Sequence, residues 1–277
     1  MVRIAVVAPS TRVAPDLAER VSALAAAEFP DVELVFHPQC FLSHRHFAGE
    51  DEVRTAAFVE AANDASIDAL WFARGGYGSC RIAEAVIARL EPQARAKTYF
   101  GYSDAGYLLA GLYRAGFPNL FHGPMPGDLR REGGEAAVLR ALSWMARRSP
   151  DALDPSLEGE RPTLPFNLTV FSQLLGTPVQ PDLDGHVLML EDVAEHMYRT
   201  DRALFHVTGN AGVRRAAGIR LGRCTDVPYN EPDFGAGEEE VFRYWCERSG
   251  ILFLGRCDIG HDAGNKVVPF GRLPDPR

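Results

Sequence analysis

The sequence predicts an α/β protein built on a mostly parallel sheet, and three observations carry that expectation. Short Val- and Ile-rich runs alternate with segments of helical periodicity through the first half of the chain. Two glycine-bearing segments, "RGGYGS" and "GYSDAG", fall where a strand pattern gives way to a helical one. A stretch with four prolines, "SPDALDPSLEGERPTLPF", interrupts the alternation before it resumes. Repeated β–α units form a parallel sheet covered by helices on both faces, and ligands of such sheets bind at the carboxyl ends of the strands.

Each element has its own signal. "RIAVVAP" reads as a buried strand, and "PDLAERVSALAAAEF" follows with helical spacing and strong helix formers. "VELVFHP" and "DEVRTAAFVEAANDA" repeat the pair, as do "ALWFARGG" and "SCRIAEAVIARL". "TYFGYS" is a fourth strand, followed by a helix from Asp104; "LFHG" is a short fifth, and "EAAVLRALSWMARR" closes this half as a helix. After the proline-rich stretch come "LTVFSQLLG" (helix), "HVLMLEDV" (strand), "YRTDRALFHVTG" (helix) and "AGIRLGRC" (strand). "GEEEVFRYWCERS" (helix), "ILFLGRCDIGH" (strand) and "KVVPFG" (strand) complete the chain. The expected division is a first domain over 1–148, a linker over 149–165 and a second domain over 166–277, with a cleft between the domains.

Composition narrows the function. A formal net charge of −8 argues against a nucleic-acid binder, which usually presents a basic face. The five cysteines are odd in number and none are spaced C-x-x-C, so neither a disulfide framework nor a zinc knuckle is expected. Free thiols suit a reducing compartment. The start lacks a signal-peptide core, and no apolar run approaches the length of a membrane span, so the cytoplasm is the expected location.

The residues that could carry chemistry lie at strand ends. Ser103 can be read as a helix N-cap, whose oxygen accepts an orphan backbone N–H, or as a nucleophile exposed on a strand–turn–helix elbow. The usual G-x-S-x-G is absent: Ala105 stands where the second glycine belongs. His122 is a weak base candidate, and His37, His44 and His46 sit in polar, surface-like contexts. His261 follows an apolar strand and a glycine, where an imidazole would face a cleft or merely occupy a loop. Glu191 and Asp192 end the apolar run of Val187 to Leu190; a carboxylate there needs a partner, such as a histidine N–H, or an exposed position. Gly75, Gly76 and Gly78 could cradle a phosphate, bring backbone N–H groups to a reacting carbonyl, or form a plain turn.

Taken together, five segments resemble the LD-carboxypeptidase family of serine peptidases, the muramoyltetrapeptide carboxypeptidases. They are "APS" near the start, "RGGYGSCR", "GYSDAG" followed by "HGPM", "NLTVFSQLLGTP" with "LMLEDVAEHMYRTDR", and "GHDAGNKVVPFG". Their order and spacing match over nearly the whole chain. The resemblance implies a flavodoxin-like N-terminal domain joined to a smaller β-rich C-terminal domain. It implies a Ser103–Glu191–His261 triad, hydrolysis of the bond to the terminal D-alanine of murein tetrapeptides in cytoplasmic cell-wall recycling, no metal or organic cofactor, and a homodimer. The sequence departs from the family at Gly106, where Thr is frequent, and at "LPFNL", where only Asn167 of a Gly-Gly-Asn stretch remains.

On this basis the backbone N–H groups of Asp104 and Gly76 are the expected oxyanion hole, and Arg74, Tyr77 and Asn167 the expected substrate contacts. Arg74 is the favoured grip for a terminal carboxylate, whereas Arg199 is expected to make a structural pair. Two rivals stand beside this reading: a related hydrolase acting on another amide, such as a microcin-like peptide-nucleotide, and a non-catalytic module that binds a small ligand.

Overall fold

A computed structural model describes residues 1–157 and 161–273 of the chain. Residues 158–160 of the expected linker and 274–277 of the expected second domain lie outside the described residues.

The first five strands are β1 (Val2–Val7), β2 (Val32–Phe36), β3 (Ala69–Phe72), β4 (Thr98–Gly101) and β5 (Leu120–His122). They are parallel and lie in the order β2-β1-β3-β4-β5, the flavodoxin-like arrangement. Their side chains alternate between two faces, as a strand requires. Ile4, Val6, Trp71 and Phe100 face the layer of α1 (Pro15–Glu28) and α5 (Gly134–Arg147). Ala5, Val7, Phe72 and Tyr99 face the layer of α2 (Asp51–Asn63), α3 (Ala83–Ala88) and α4 (Gly106–Arg114). Both faces are buried in β3, β4 and β5 and along most of β1, which explains their nearly continuous apolar runs, whereas the edge strand β2 stays partly exposed.

The second sheet is also parallel, in the order β6 (Thr163–Asn167), β7 (Val187–Val193), β8 (Gly218–Thr225), β9 (Phe253–Arg256). Its helices are α6 (Leu168–Leu174), α7 (Met197–Gly209) and α8 (Glu238–Ser249). The apolar cluster around Phe72 and Tyr99 continues through Leu108 and Phe166 into Leu190 and Leu221, so one core runs under both sheets.

The expected division of the chain needs two corrections. Thr163, Leu164 and Pro165, assigned to the linker, form most of β6. The proline had argued for a loop, but β6 is an edge strand, where a missing backbone N–H is tolerated. The final strand, β10 (Val268–Pro269), leaves the second half altogether and pairs antiparallel with β5. Three helical or strand assignments also shorten. "SCRIAEAVIARL" divides into a 3-10 turn at Ser79–Arg81 and α3, because Gly78 at φ +133° starts the segment in a turn. The helix expected from Asp104 opens as a 3-10 turn, Ser103–Ala105, before α4. β9 stops at Arg256, so His261 stands on an irregular loop.

Candidate active site

Three loops at the carboxyl ends of β1, β3 and β4 meet where the strand order reverses, between β1 and β3. Asp104 ties them together. Its buried carboxylate accepts hydrogen bonds from the Ser10 hydroxyl at 2.5 Å and the Ser79 backbone N–H at 2.8 Å. Burial pushes this carboxyl above the usual range, and the donated bonds pull against that rise. The segments "APS", "GYGS" and "GYSDAG" thus converge on one side chain.

Above this anchor the chain turns sharply at Ser103, whose φ of +62° lies in the left-handed region. For a residue with a Cβ this conformation costs roughly 1–2 kcal/mol. The Ser103 side chain caps no helix. Its hydroxyl instead lies 3.0 Å from Nε2 of His261. Gly75 leaves room for it, since a Cβ there would sit 2.7 Å from the Ser103 oxygen. Gly76, at φ +116°, faces Thr11 with the same lack of space.

Glu191 holds the other side of the imidazole. It lies fully buried in β7, with Oε2 accepting from His261 Nδ1 at 2.7 Å. That bond leaves Nε2 to accept from Ser103. A register shift between β7 and β8 at this point re-aims the side chain, and Gly222 makes space, because a Cβ there would lie 2.8 Å from the Glu191 Cβ. Burial alone would lower the pKa of His261, but the Glu191 charge and hydrogen bond prevail and raise it above the ordinary histidine value. Asp192 points elsewhere. It accepts from Asn167 Nδ2 at 2.8 Å, Thr169 Oγ1 at 3.1 Å and its neighbour's N–H. Burial, then the Glu191 charge, pushes its carboxyl up to about 7.

Ser103 and His261 open onto a cleft of about 420 Å³ that is also lined by Arg74, Arg130 and Arg131. Arg131 donates to Asp128 at 3.0 Å, and Asp128 in turn accepts from the Tyr102 hydroxyl at 2.7 Å. Arg74 is half-buried, and its pKa is lowered by burial and by repulsion from Arg130 and Arg131. Among the described residues neither Arg74 nor Arg130 has a hydrogen-bond or ion-pair partner, which leaves two guanidinium groups free for an anion. Sequence reading missed Arg130 and Arg131. The available signal was an adjacent arginine pair in "GDLRREGG", shortly after the fifth strand.

Ser103, His261, Gly76 and Arg74 therefore gather at one cleft, with Glu191 behind them. The other two expected substrate contacts do not line it. Asn167 is consumed structurally: its Oδ1 accepts from Val170 N as the cap of α6, and its amide donates to Asp192. Tyr77 is half-exposed and packs against His46 and Phe47, with ring centroids 6.1 and 6.0 Å away. Arg199 pairs with Glu195 at 3.1 Å on the surface. His122 is buried and bonded to Asn265. Among the described residues no helix is long and apolar enough to cross a membrane, and no group of three or more His, Cys, Asp or Glu is placed to hold a metal.

Comparison with known proteins agrees with the two-sheet fold. Residues 4–123 match the LD-carboxypeptidase N-terminal domain, and residues 162–273 match the LD-carboxypeptidase C-terminal domain. A murein tetrapeptide carboxypeptidase of Pseudomonas aeruginosa is 27% identical over 98% of this chain and 91% of its own length. Among solved structures, the muramoyltetrapeptide carboxypeptidase from Oxalobacter formigenes superposes with a TM-score of 0.81 at 24% identity, covering 96% of this chain and 93% of that one. The microcin C7 self immunity protein, in complex with aspartyl sulfamoyl adenosine, gives 0.80 at 17% identity, covering 98% and 91%. At these identities the two structures establish a shared fold.

Proposed function

The chain belongs to the LD-carboxypeptidase family, and on that premise we propose that it is a serine carboxypeptidase releasing the terminal D-alanine of murein tetrapeptides in cytoplasmic wall recycling. The observation that carries this reading is the unbroken hydrogen-bonded chain from Ser103 through His261 to Glu191. His261 Nε2 takes the Ser103 proton as Oγ attacks the carbonyl carbon of the scissile bond. Glu191 holds the tautomer and stabilises the imidazolium. The backbone N–H of Asp104 receives the oxyanion, with Gly76 as second donor; loss of one such donor costs about 3 kcal/mol in comparable enzymes. His261 then passes its proton to the departing amine of D-alanine. The same imidazole then deprotonates a water that attacks the acyl carbon, and the resulting imidazolium gives that proton to the Ser103 oxygen as the ester bond breaks.

A carboxypeptidase must also hold a free carboxylate. Arg74 and Arg130 supply guanidinium groups in the cleft that Ser103 lines, and a guanidinium grips a carboxylate through two parallel bonds. The cleft charge also suits other anionic acyl substrates, so the substrate is decided by direct comparison. Parent and Ser103→Ala proteins should be assayed for D-alanine release from a purified tetrapeptide, beside a pentapeptide and a peptide-nucleotide. The parent should cleave the tetrapeptide by preference, and the variant should lose at least about 10⁴-fold in kcat. Parent-level release by Ser103→Ala would overturn the mechanism; preferential cleavage of the peptide-nucleotide would overturn the substrate.

A further inference from the structure

The loop that carries His261 is held from both sheets: Glu191 on β7 bonds the imidazole at 2.7 Å, Arg223 on β8 donates to the adjacent Asp262 at 2.5 and 2.8 Å, and further contacts come from the first sheet. The backbone N–H of Arg223 donates to Ile259 O at 2.8 Å, and that of Cys257 donates to Leu221 O at 2.9 Å, fixing the chain just before the histidine to β8. Beyond it the loop folds onto Asn265, which is fully buried. Asn265 Oδ1 accepts from the N–H of Gly260, the residue before His261, at 3.3 Å. The same oxygen lies 3.1 Å from Nε2 of His122 on β5. His122 is the register partner of Gly101, two residues before Ser103, and of Val268 in β10. The Tyr102 ring packs against both imidazoles, at 5.3 Å from His122 and 4.7 Å from His261. Arg140 of α5 adds bonds to the carbonyls of Ala263 and Asn265 at 2.8 and 2.9 Å.

The protonation pattern follows from these contacts. A backbone N–H can only donate, so the Asn265 amide must present its oxygen to Gly260. An imidazole nitrogen facing that same oxygen must then carry its proton. His122 is therefore a neutral Nε2–H donor, a state its burial also favours by lowering its pKa to about 3.

We propose that His122 and Asn265 are positioning residues of the reaction, forming a strut from the nucleophile's sheet that sets the distance between His261 and Ser103. The inference rests on the triad reading given above. Neither residue lines the cleft, so their effect should fall on turnover rather than on substrate binding.

The test compares His122→Phe, His122→Gln, Asn265→Ala and the double variant His122→Phe/Asn265→Ala in the full chain, with Ser103→Ala as control. His122→Phe keeps a ring beside Tyr102 but removes the donor, and His122→Gln keeps a donor. His122→Phe and Asn265→Ala should each lower kcat about 10- to 100-fold, the scale of a misplaced catalytic group, with KM within about twofold of the parent. His122→Gln should recover to within about fivefold of the parent, and the double variant should be no slower than the worse single one, since both lesions break one bond. Histidine ¹⁵N spectra of the parent should show His122 neutral with its proton on Nε2 from pH 5 to 8.

A folded His122→Phe with parent kcat, a glutamine no better than phenylalanine, or single losses that multiply would overturn the strut. If His122→Phe fails to fold, Asn265→Ala decides the same question by the same split between kcat and KM. Failure of the triad reading is distinguishable, because Ser103→Ala would then retain activity while the His122 spectrum stayed as described.

Discussion

Ser103 stands two residues beyond the end of β4, on a turn tied to the neighbouring loops through the Asp104 carboxylate, whereas His261 stands five residues beyond the end of β9 on an irregular loop. The first is placed by its own strand and the anchor directly beneath it. The second is placed by side chains from four other elements: Glu191 on β7, Arg223 on β8 through Asp262, His122 on β5 through Asn265, and Arg140 on α5. On the proposed triad reading, the nucleophile sits close to its own strand end over the loops gathered on Asp104, whereas the base sits far from its strand and depends on side chains reaching in from other elements. A lesion near Ser103 should therefore act on the attacking atom itself, and a lesion in the base's surroundings should act through orientation and proton affinity.

The comparison is tested hardest at Glu191. Glu191→Gln keeps the side-chain volume but removes the charge that outweighs burial at His261. It should lower kcat by about 10³- to 10⁴-fold, the loss seen when the acid of a triad becomes an amide. The pH profile supplies the sign. The base must be neutral, so parent kcat/KM should fall as pH drops through a midpoint above 6.5, the ordinary histidine value. In Glu191→Gln the residual activity should have its midpoint at lower pH. An unmoved midpoint would mean that another group sets the affinity of the base.

Gly75→Ala sharpens the other side. Its Cβ would lie 2.7 Å from the Ser103 oxygen, so the hydroxyl must be displaced from His261. A displacement of this size should cost about 10²-fold in kcat/KM, while circular dichroism and thermal unfolding stay close to the parent. Activity within twofold would show that the nucleophile's surroundings yield more readily than the geometry indicates.

The smallest effect is expected at Asp192, the carboxylate that the triad leaves unused. Its folded pKa of about 7 lies above its unfolded value near 3.9. The raised acid therefore contributes stability that is complete below the unfolded value and lost as pH rises through about 7. Asp192→Asn removes that loss, so the variant should gain a few degrees in Tm at pH 8 and a smaller amount at pH 5, given roughly 2–4 °C per kcal/mol for chains of this size. An equal shift at both pH values would assign the effect to packing.

Local placement also governs what could be read in the sequence. The inner parallel strands were legible because burial on both faces made them nearly continuous apolar runs, and β2, though partly exposed at the edge, because only Glu33 breaks its run. Ser103 was visible as a polar residue at a strand end, but its two readings could not be separated there, because the positive φ and the absence of capping are properties of the folded turn. Glu191 and Asp192 were equally plausible as neighbours, and the register shift between β7 and β8 chooses between them. Asn167 carried a family-like position yet serves as a helix cap, since the side chain that would claim it, Asp192, comes from 25 residues away. Arg130 and Arg131 escaped notice because arginines are common in this chain and their convergence with Arg74 exists only in three dimensions. Strand β10 was recognised as extended, but nothing in "KVVPFG" tells which sheet it will join.

That last pairing has a bearing on how the protein comes into being. Val268 and Pro269 complete the edge of the sheet that carries Ser103, and they are reached only after every strand of the second sheet has been made. During synthesis on the ribosome the serine's half can therefore collapse early but remains unfinished, with β5 uncovered and the base not yet translated. The bonded set of Ser103, His261 and Glu191 can therefore close only once His261 has been made and the polypeptide doubles back onto its first layer.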